Sequence, residues 1–364
     1  MKRFFQLIIT IGSLFLVLAA CSSNDSESPT SQRFAYATSA TNNTVSQYTI
    51  NADGSLAPMS IPMVSTGTAP RSITVTPSGK YAYVANAGDG NVSQYTIEAN
   101  GNLTPMSTAT VAAGATWGPF SITVDPSEKY AYVANAYDGK VYQYTIGANG
   151  SLTPMSAPSV SVEALANPES VTIYPSGKYA YVASYGGTVS QYTIGTDGSL
   201  APMIAPTVTA GVSPISIAVD PTGRYAYVAN YLSHDVSQYT IGTDGSLTAM
   251  STATVAAGAY PRAITVDPSG KYVYVANDIS SNISQYSIEP DGSLTPMSAP
   301  TVTAGNPYAI TINPSGKYAY VANSGSNNIS QYAIGIDGNL TPLSSASVAT
   351  VARPSAIAIV NIYQ

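Results

Sequence analysis

Two arginines and a glutamate occupy the same place in a recurring segment. Arg71, Glu169 and Arg262 each follow a proline and open a short apolar stretch: PRSITV, PESVTI and PRAITV. A guanidinium fork matches a carboxylate or phosphate, so two arginines at one opening could hold an anion. A carboxylate beside them could act as a base toward water. The plainer reading is a set of solvated rim charges, some paired with Glu169 or Asp278. At the same place the other copies carry Phe120, Ile215, Tyr308 and Ser355, and Arg353 sits just before the last of these. His234, the one histidine, is followed by Asp235. A general base is the sharper reading of His234. Adjacent loop residues rarely face each other, however, and no Ser or Cys nucleophile motif accompanies them, so a loop histidine is the plainer one. Trp117, close to Phe120, suits a partner anchor or a channel plug. Asp138, Asp235 and Asp278 are further binding-face candidates, but Asp-x-Gly is too sparse here for a Ca²⁺ site. No Gly-rich phosphate loop, HExxH, EF-hand or GxSxG pattern is present. No metal or cofactor is expected.

The elements that position these residues are repeats. YAYVAN or a near copy starts at Tyr81, Tyr130, Tyr179, Tyr225, Tyr272 and Tyr318, with a degraded copy at Phe34, at spacings of 46 to 49 residues. Each of the seven units carries YAYVAN, a variable loop, VSQYTI, an Asp-Gly or Asn-Gly turn, LTPM, a second variable stretch, a SITV-type segment and PSGK. Tyr, Val, Ile and Thr in alternation with small residues read as strands, and the Gly turns supply the positive φ of hairpins. Four strands per unit, seven times over, predict an all-β, seven-bladed propeller of antiparallel blades. The SITV-type strand is innermost, then YAYVAN, VSQYTI and the LTPM stretch. The domain opens with the last three strand types and ends on an orphan inner strand, Ser355 to Val360, so three N-terminal strands and one C-terminal strand should close the ring. The YxY and QY tyrosines account for 20 of the chain's 28, and are read as packing between blades.

On this topology the PSGK and Asp-Gly turns share one monotonous face. The loops before the inner strand and after the YAYVAN strand share the other, which carries the variation from repeat to repeat. The variable residues should ring the channel mouth there. The YVAN-containing repeats resemble the YVTN family of propellers and the seven-bladed lactonase-type propellers, over residues 33–364. That resemblance implies the fold strongly and the activity weakly.

Upstream of the repeats, Lys2 and Arg3 precede an apolar stretch from Leu7 to Ala20, short of the ~20 residues that span a bilayer and suited to a secretory signal. It ends in LAAC, which resembles the lipobox of bacterial lipoproteins. The implied processing removes residues 1–20 and lipidates Cys21, the chain's one cysteine. Residues 21–32 are then a polar tether to a propeller over 33–364, held at a membrane by its acyl chains. Ser22 after the Cys favours the outer membrane in a cell that has two.

Composition narrows the class further. Of 364 residues only 9% are charged and 45% are hydrophobic, with a net charge of −6. The apolar share suffices for a core, and the acidic sign argues against nucleic acid, which needs a basic footprint. One Cys and one His exclude a disulfide framework or a Cys/His zinc cluster. The leading expectation is a noncatalytic binding or scaffold lipoprotein, showing its variable face to a protein or glycan partner. The rival is a lactone hydrolase resembling propeller-type 6-phosphogluconolactonases, with Arg71, Arg262 and Arg353 for an anionic substrate and Glu169 or His234 as base. Against it stands the lack of a His/Arg/Glu cluster in any one blade.

Overall fold

The computed structural model describes residues 32–162 and 166–362. They form 28 strands, β1 to β28 in chain order, arranged as seven four-stranded antiparallel sheets. Blade 1 has the order β28 (Pro354–Ile362), β1 (Gln32–Ser39), β2 (Thr44–Ile50), β3 (Leu56–Ser65). Blades 2 to 7 are each four consecutive strands. Their inner strands are β4 (Pro70–Val75), β8 (Pro119–Val124), β12 (Pro168–Ile173), β16 (Pro214–Val219), β20 (Pro261–Val266) and β24 (Pro307–Ile312).

The closure joins three N-terminal strands to one C-terminal strand. β28 pairs with β1 from Gln32↔Ile362 to Ser39↔Pro354. It is longer than the expected Ser355–Val360 because β1 itself starts early. Gln32, assigned to the tether by its polarity, already pairs in the ladder. The signal segment and Cys21 lie outside the described residues.

Burial follows strand position. The YAYVAN strands are buried along almost their whole length, because neighbouring blades cover both faces. The outer strands alternate little and are mostly exposed. There is no single central core. Seven hydrophobic clusters occur, each built from two adjacent blades; one gathers Phe34, Tyr36, Tyr95 and Leu103 from blades 1 and 2. Large tyrosine faces thus pack against alanine and valine across each interface.

Three side-chain hydrogen bonds recur at every interface. The second YxY tyrosine donates to a turn glycine carbonyl of the next blade, as Tyr132 does to Gly198 at 2.7 Å. The QY tyrosine donates to the outer strand of the preceding blade, as Tyr144 does to Ala112 at 2.6 Å. The buried glutamine of VSQYTI donates to its own outer strand and accepts from the next: Gln143 Nε2 bonds the Ala157 carbonyl at 3.0 Å, and its Oε1 accepts the Leu200 N–H at 2.6 Å. The pattern closes the circle through Gln331 to Leu56 and Tyr320 to Gly54. At each interface a turn carbonyl, an outer-strand carbonyl and the N–H that opens an outer strand are thus satisfied by the neighbouring blade.

Candidate active site

Each inner strand begins with proline, which has no N–H to give to the ladder. At this point the pairing with the YAYVAN strand skips one residue. The shift falls between Pro70 and Ser72, Pro119 and Ser121, Pro168 and Ser170, and likewise in every other blade. The skipped residue is the variable one. A bulge leaves its extra residue unpaired and re-aims the side chain. Arg71, Phe120, Glu169, Ile215, Arg262, Tyr308 and Ser355 all sit on such bulges.

Two further devices fix the bulges. The residue before the proline is left-handed in six blades: Ala69, Asn167, Ser213, Tyr260, Asn306 and Arg353, with φ from 46 to 58°. For a non-glycine residue this conformation costs roughly 1–2 kcal/mol. Backbone bonds hold it there. Its carbonyl accepts the N–H of the first residue after the YAYVAN strand, as Asn167 does from Tyr185, Ser213 from Tyr231 and Tyr260 from Asp278, at 2.8 to 3.0 Å. Blade 3 carries an extra Gly118 in this role, and the left-handed residue there is Trp117. The clamp places that first loop residue beside the bulge of its own blade.

All seven bulge residues line one cavity of about 420 Å³ at the channel mouth. Arg71 comes from blade 2, Glu169 from blade 4 and Arg262 from blade 6. Ser72, Ser121, Ser170 and Ser216 line it one step further along the inner strands, and Tyr185 and Tyr231 lean in from the loops.

The arginines are held by aromatic rings. Arg262 Cζ lies 4.2 Å from the Tyr308 ring centre and 5.1 Å from that of Tyr231. Arg71 Cζ lies 5.2 Å from the Phe120 ring centre and 5.9 Å from that of Tyr308, and Arg71 Nη1 donates to the Tyr308 hydroxyl. Such cation–π contacts strengthen as water is removed. Arg262 Nε forms an ion pair with Asp278 at 3.4 Å, too poorly aligned for a hydrogen bond. Burial works against the Arg262 charge, but Tyr308, Tyr231 and Asp278 outweigh it and hold the guanidinium pKa above its usual value. The Nε atoms of both arginines are buried without a hydrogen-bond partner.

Glu169 is half-buried in the wall of the cavity. Burial pushes its pKa up to about 7, and the charges of Arg71 and Arg262 pull the other way without cancelling the rise. A carboxyl poised near neutrality can both accept and return a proton at working pH.

The remaining candidates stand apart from the cavity. Arg353 is exposed, because it occupies the left-handed seat before Pro354 and not the bulge after it; its N–H is bound by Asn327 Oδ1 at 2.8 Å. His234 has φ 59°, in a seat that Asn43 and Asn327 fill in other blades. Its Nδ1 accepts the Tyr260 N–H at 3.1 Å, as Asn43 Oδ1 accepts that of Ala69 and Asn327 Oδ1 that of Arg353. Its ring stacks edge-on to Tyr260, and Tyr260 to Tyr231, each at 4.8 Å. Through Tyr260, His234 therefore backs the Tyr231 ring that flanks Arg262. Asp235 accepts from Asn230 and Ser233 within its own loop. Asp138 accepts from the Tyr142 hydroxyl at 2.6 Å and the Ala115 N–H. Trp117 is 65% exposed and lies away from the cavity.

Tyr185, Tyr231 and the four serines were not singled out from the sequence. The signal was there in part: the first loop residue is Ala in three blades but Tyr185, Tyr231 and Asp278 in three consecutive ones. Only the clamp shows that this register borders the bulge.

A β-propeller whose channel mouth gathers one side chain from each blade is the class that fold and site define together. The chain belongs to the Lactonase, 7-bladed beta-propeller family, which matches residues 27–120 and 118–359. Among solved structures, a protein described as a candidate 6-phosphogluconolactonase from Bacteroides fragilis superposes with a TM-score of 0.80 at 22% identity, over 93% of this chain and 99% of that one. The Pseudomonas aeruginosa periplasmic gluconolactonase gives 0.77 at 21% identity, over 91% and 99%. Kuenenia stuttgartiensis hydrazine synthase gives 0.60 at 18% identity, over 81% and 95%. No curated protein sequence matches the chain.

These findings correct the expectation of a noncatalytic scaffold. That expectation rested on the lipid anchor, the low charge, the near-identical blades and the lack of a convergent catalytic set, with no charged cluster within any one blade. The propeller gives only one bulge residue per blade, so a cluster has to be assembled across blades, as Arg71, Glu169 and Arg262 are. Family membership favours the lactone hydrolase reading in its place.

Proposed function

We propose that the protein hydrolyses lactones of sugar acids in this cavity. The observation that carries the reading is the meeting of Arg71, Glu169 and Arg262, from three different blades, in one cavity of about 420 Å³. That volume suits a six-membered sugar lactone. The solved relatives described as a candidate 6-phosphogluconolactonase and a gluconolactonase supply the substrate class.

In this reading Glu169, ionised, takes a proton from water as the water oxygen attacks the lactone carbonyl carbon. The carbonyl oxygen gains negative charge, which the guanidiniums of Arg71 and Arg262 stabilise. They are pre-aligned by the rings of Phe120, Tyr231 and Tyr308 and need no reorganisation. The carbon–ring oxygen bond then breaks. Protonated Glu169 returns its proton to the departing oxygen, which leaves as an alcohol, and the product is the open sugar acid. The LAAC segment, on the same proposal, places this chemistry on an exported and lipid-anchored enzyme, so the substrate would be met outside the cytoplasm. The periplasmic location named for the P. aeruginosa relative supports that placement.

The test is acid release by the purified protein from glucono-1,5-lactone and 6-phosphogluconolactone, above the spontaneous rate. Arg71→Ala and Arg262→Ala should each lower kcat/KM by roughly 10²–10³. No turnover of any lactone above background contradicts the reading.

A further inference from the structure

The cavity floor is divided in two. One step beyond the bulge, blades 2 to 5 carry Ser72, Ser121, Ser170 and Ser216, whereas blades 6, 7 and 1 carry Ala263, Ala309 and Ala356. All but Ala263 line the cavity. Hydroxyls therefore occupy one continuous arc of the floor and methyl groups the other.

The serine oxygens are used in a consistent way. Ser72 Oγ accepts the N–H of Ile122, Ser121 Oγ that of Val171 and Ser216 Oγ that of Ile264, each at 3.2 Å and each from the next blade's inner strand. A backbone N–H can only donate, so the serine proton stays free in all three. Among the described residues none of these hydroxyls donates to a protein acceptor, and the Ser170 side chain makes no hydrogen bond, its backbone pairing with Ala183 in the ladder. Ser355, in the bulge register, differs: its hydroxyl bonds the Pro70 carbonyl at 2.6 Å and Thr38 Oγ1 at 2.9 Å, so it is spent within the fold. A hydroxyl with its oxygen anchored and its proton free is an oriented donor.

We propose that Ser72, Ser121, Ser170 and Ser216 form a donor shelf that reads the oxygen atoms of a polyhydroxylated ring. They thereby set the preference of the site for hydroxyl-bearing lactones over deoxygenated ones. The alanine arc faces the ring's side that carries fewer oxygens. Its methyl groups offer C–H contacts and no donors of their own. The charged groups above act on the carbonyl; the shelf fixes how the rest of the ring lies beneath them. In its kinetic form the proposal rests on the lactonase reading, but in its binding form it does not.

Ser170→Ala is the cleanest probe, because it removes no bond within the protein; Ser121→Ala joins it in a double variant. Two lost hydrogen bonds to an uncharged ligand should lower the kcat/KM ratio of glucono-1,5-lactone to δ-valerolactone about tenfold. Binding of glucono-1,5-lactam, an uncharged ring of the same hydroxyl pattern that resists hydrolysis, should weaken to a similar degree by calorimetry. Melting temperature controls for folding of the double variant, and Ser170→Ala alone should show the same direction with an unchanged melting temperature. An equal fall for both lactones, or unaltered lactam affinity, overturns the shelf. If the wild type opens neither lactone but binds the lactam, and the double variant binds it about tenfold more weakly, the shelf stands and the lactonase reading falls. If the wild type does not bind the lactam, the shelf falls as well.

Discussion

Glu169 pays for its position with stability. Its folded-state pKa lies near 7, above the ordinary carboxylate value of 4.5, so the folded protein holds a proton that the unfolded chain releases between those limits. The stability this supplies is fully present below pH 4.5 and lost as pH rises through 7. Glu169→Gln should therefore be more stable than wild type at pH 8, by roughly 1–3 kcal/mol, and the gap should close at pH 4. Urea denaturation at the two pH values measures it. His234 makes the opposite case. Its Nδ1 does what an asparagine oxygen does in blades 1 and 7. His234→Asn should leave lactone turnover within about threefold of wild type, whereas a general base would cost 10²–10⁴. Arg71, Glu169 and Arg262 were legible in the sequence because they vary at one register of a monotonous repeat. Arg353 shares the charge of the two arginines but not their register, and the structure leaves it exposed. The serines escaped notice for the converse reason: Ser is common throughout these repeats, and its residue type does not tell a free hydroxyl from one spent within the fold.

At the scale of the strand, two features turn repetition into a site. The bulge after each proline presents one side chain per blade to the channel, and the clamp from the first loop residue holds the strained backbone before it. Neither was readable beforehand, since proline followed by any residue is compatible with a regular strand start. The Q of VSQYTI repeats in all seven blades, but nothing in the sequence marked it as a link between blades. Gln143→Ala should leave the buried Leu200 N–H without a partner, while the Ala157 carbonyl, on an exposed residue, can turn to water, and should cost about 1–3 kcal/mol in chemical denaturation. A loss under 0.5 kcal/mol would mean that water substitutes freely at these edges.

For the whole molecule, the number of blades and the mode of closure followed from counting repeats and noting which strand type came first and last. That inference worked because each blade lacks a core of its own and needs neighbours on both sides. The same dependence predicts the effect of truncation. Removing residues from Arg353 onward deletes β28, uncovers β1, takes Ala358 and Val360 from one hydrophobic cluster and Ile357 and Ile359 from another, and opens the ring. The truncated protein should lose its cooperative melting transition; an unchanged melting temperature would show that blade 1 closes without β28. Function was the harder reading, because the charged cluster belongs to no single repeat. It forms only when blades 2, 4 and 6 are brought round one axis.

The central claim is that the carboxyl placed there opens lactones as a base. The most direct measurement is kcat/KM for glucono-1,5-lactone from pH 5 to 8, corrected for spontaneous opening, with wild type beside Glu169→Gln. Wild-type activity should rise through a single ionisation near pH 7, and Glu169→Gln should lose roughly 10²–10⁴ in rate together with that rise. Equal profiles for the two proteins, or no catalysis by either, would contradict the account.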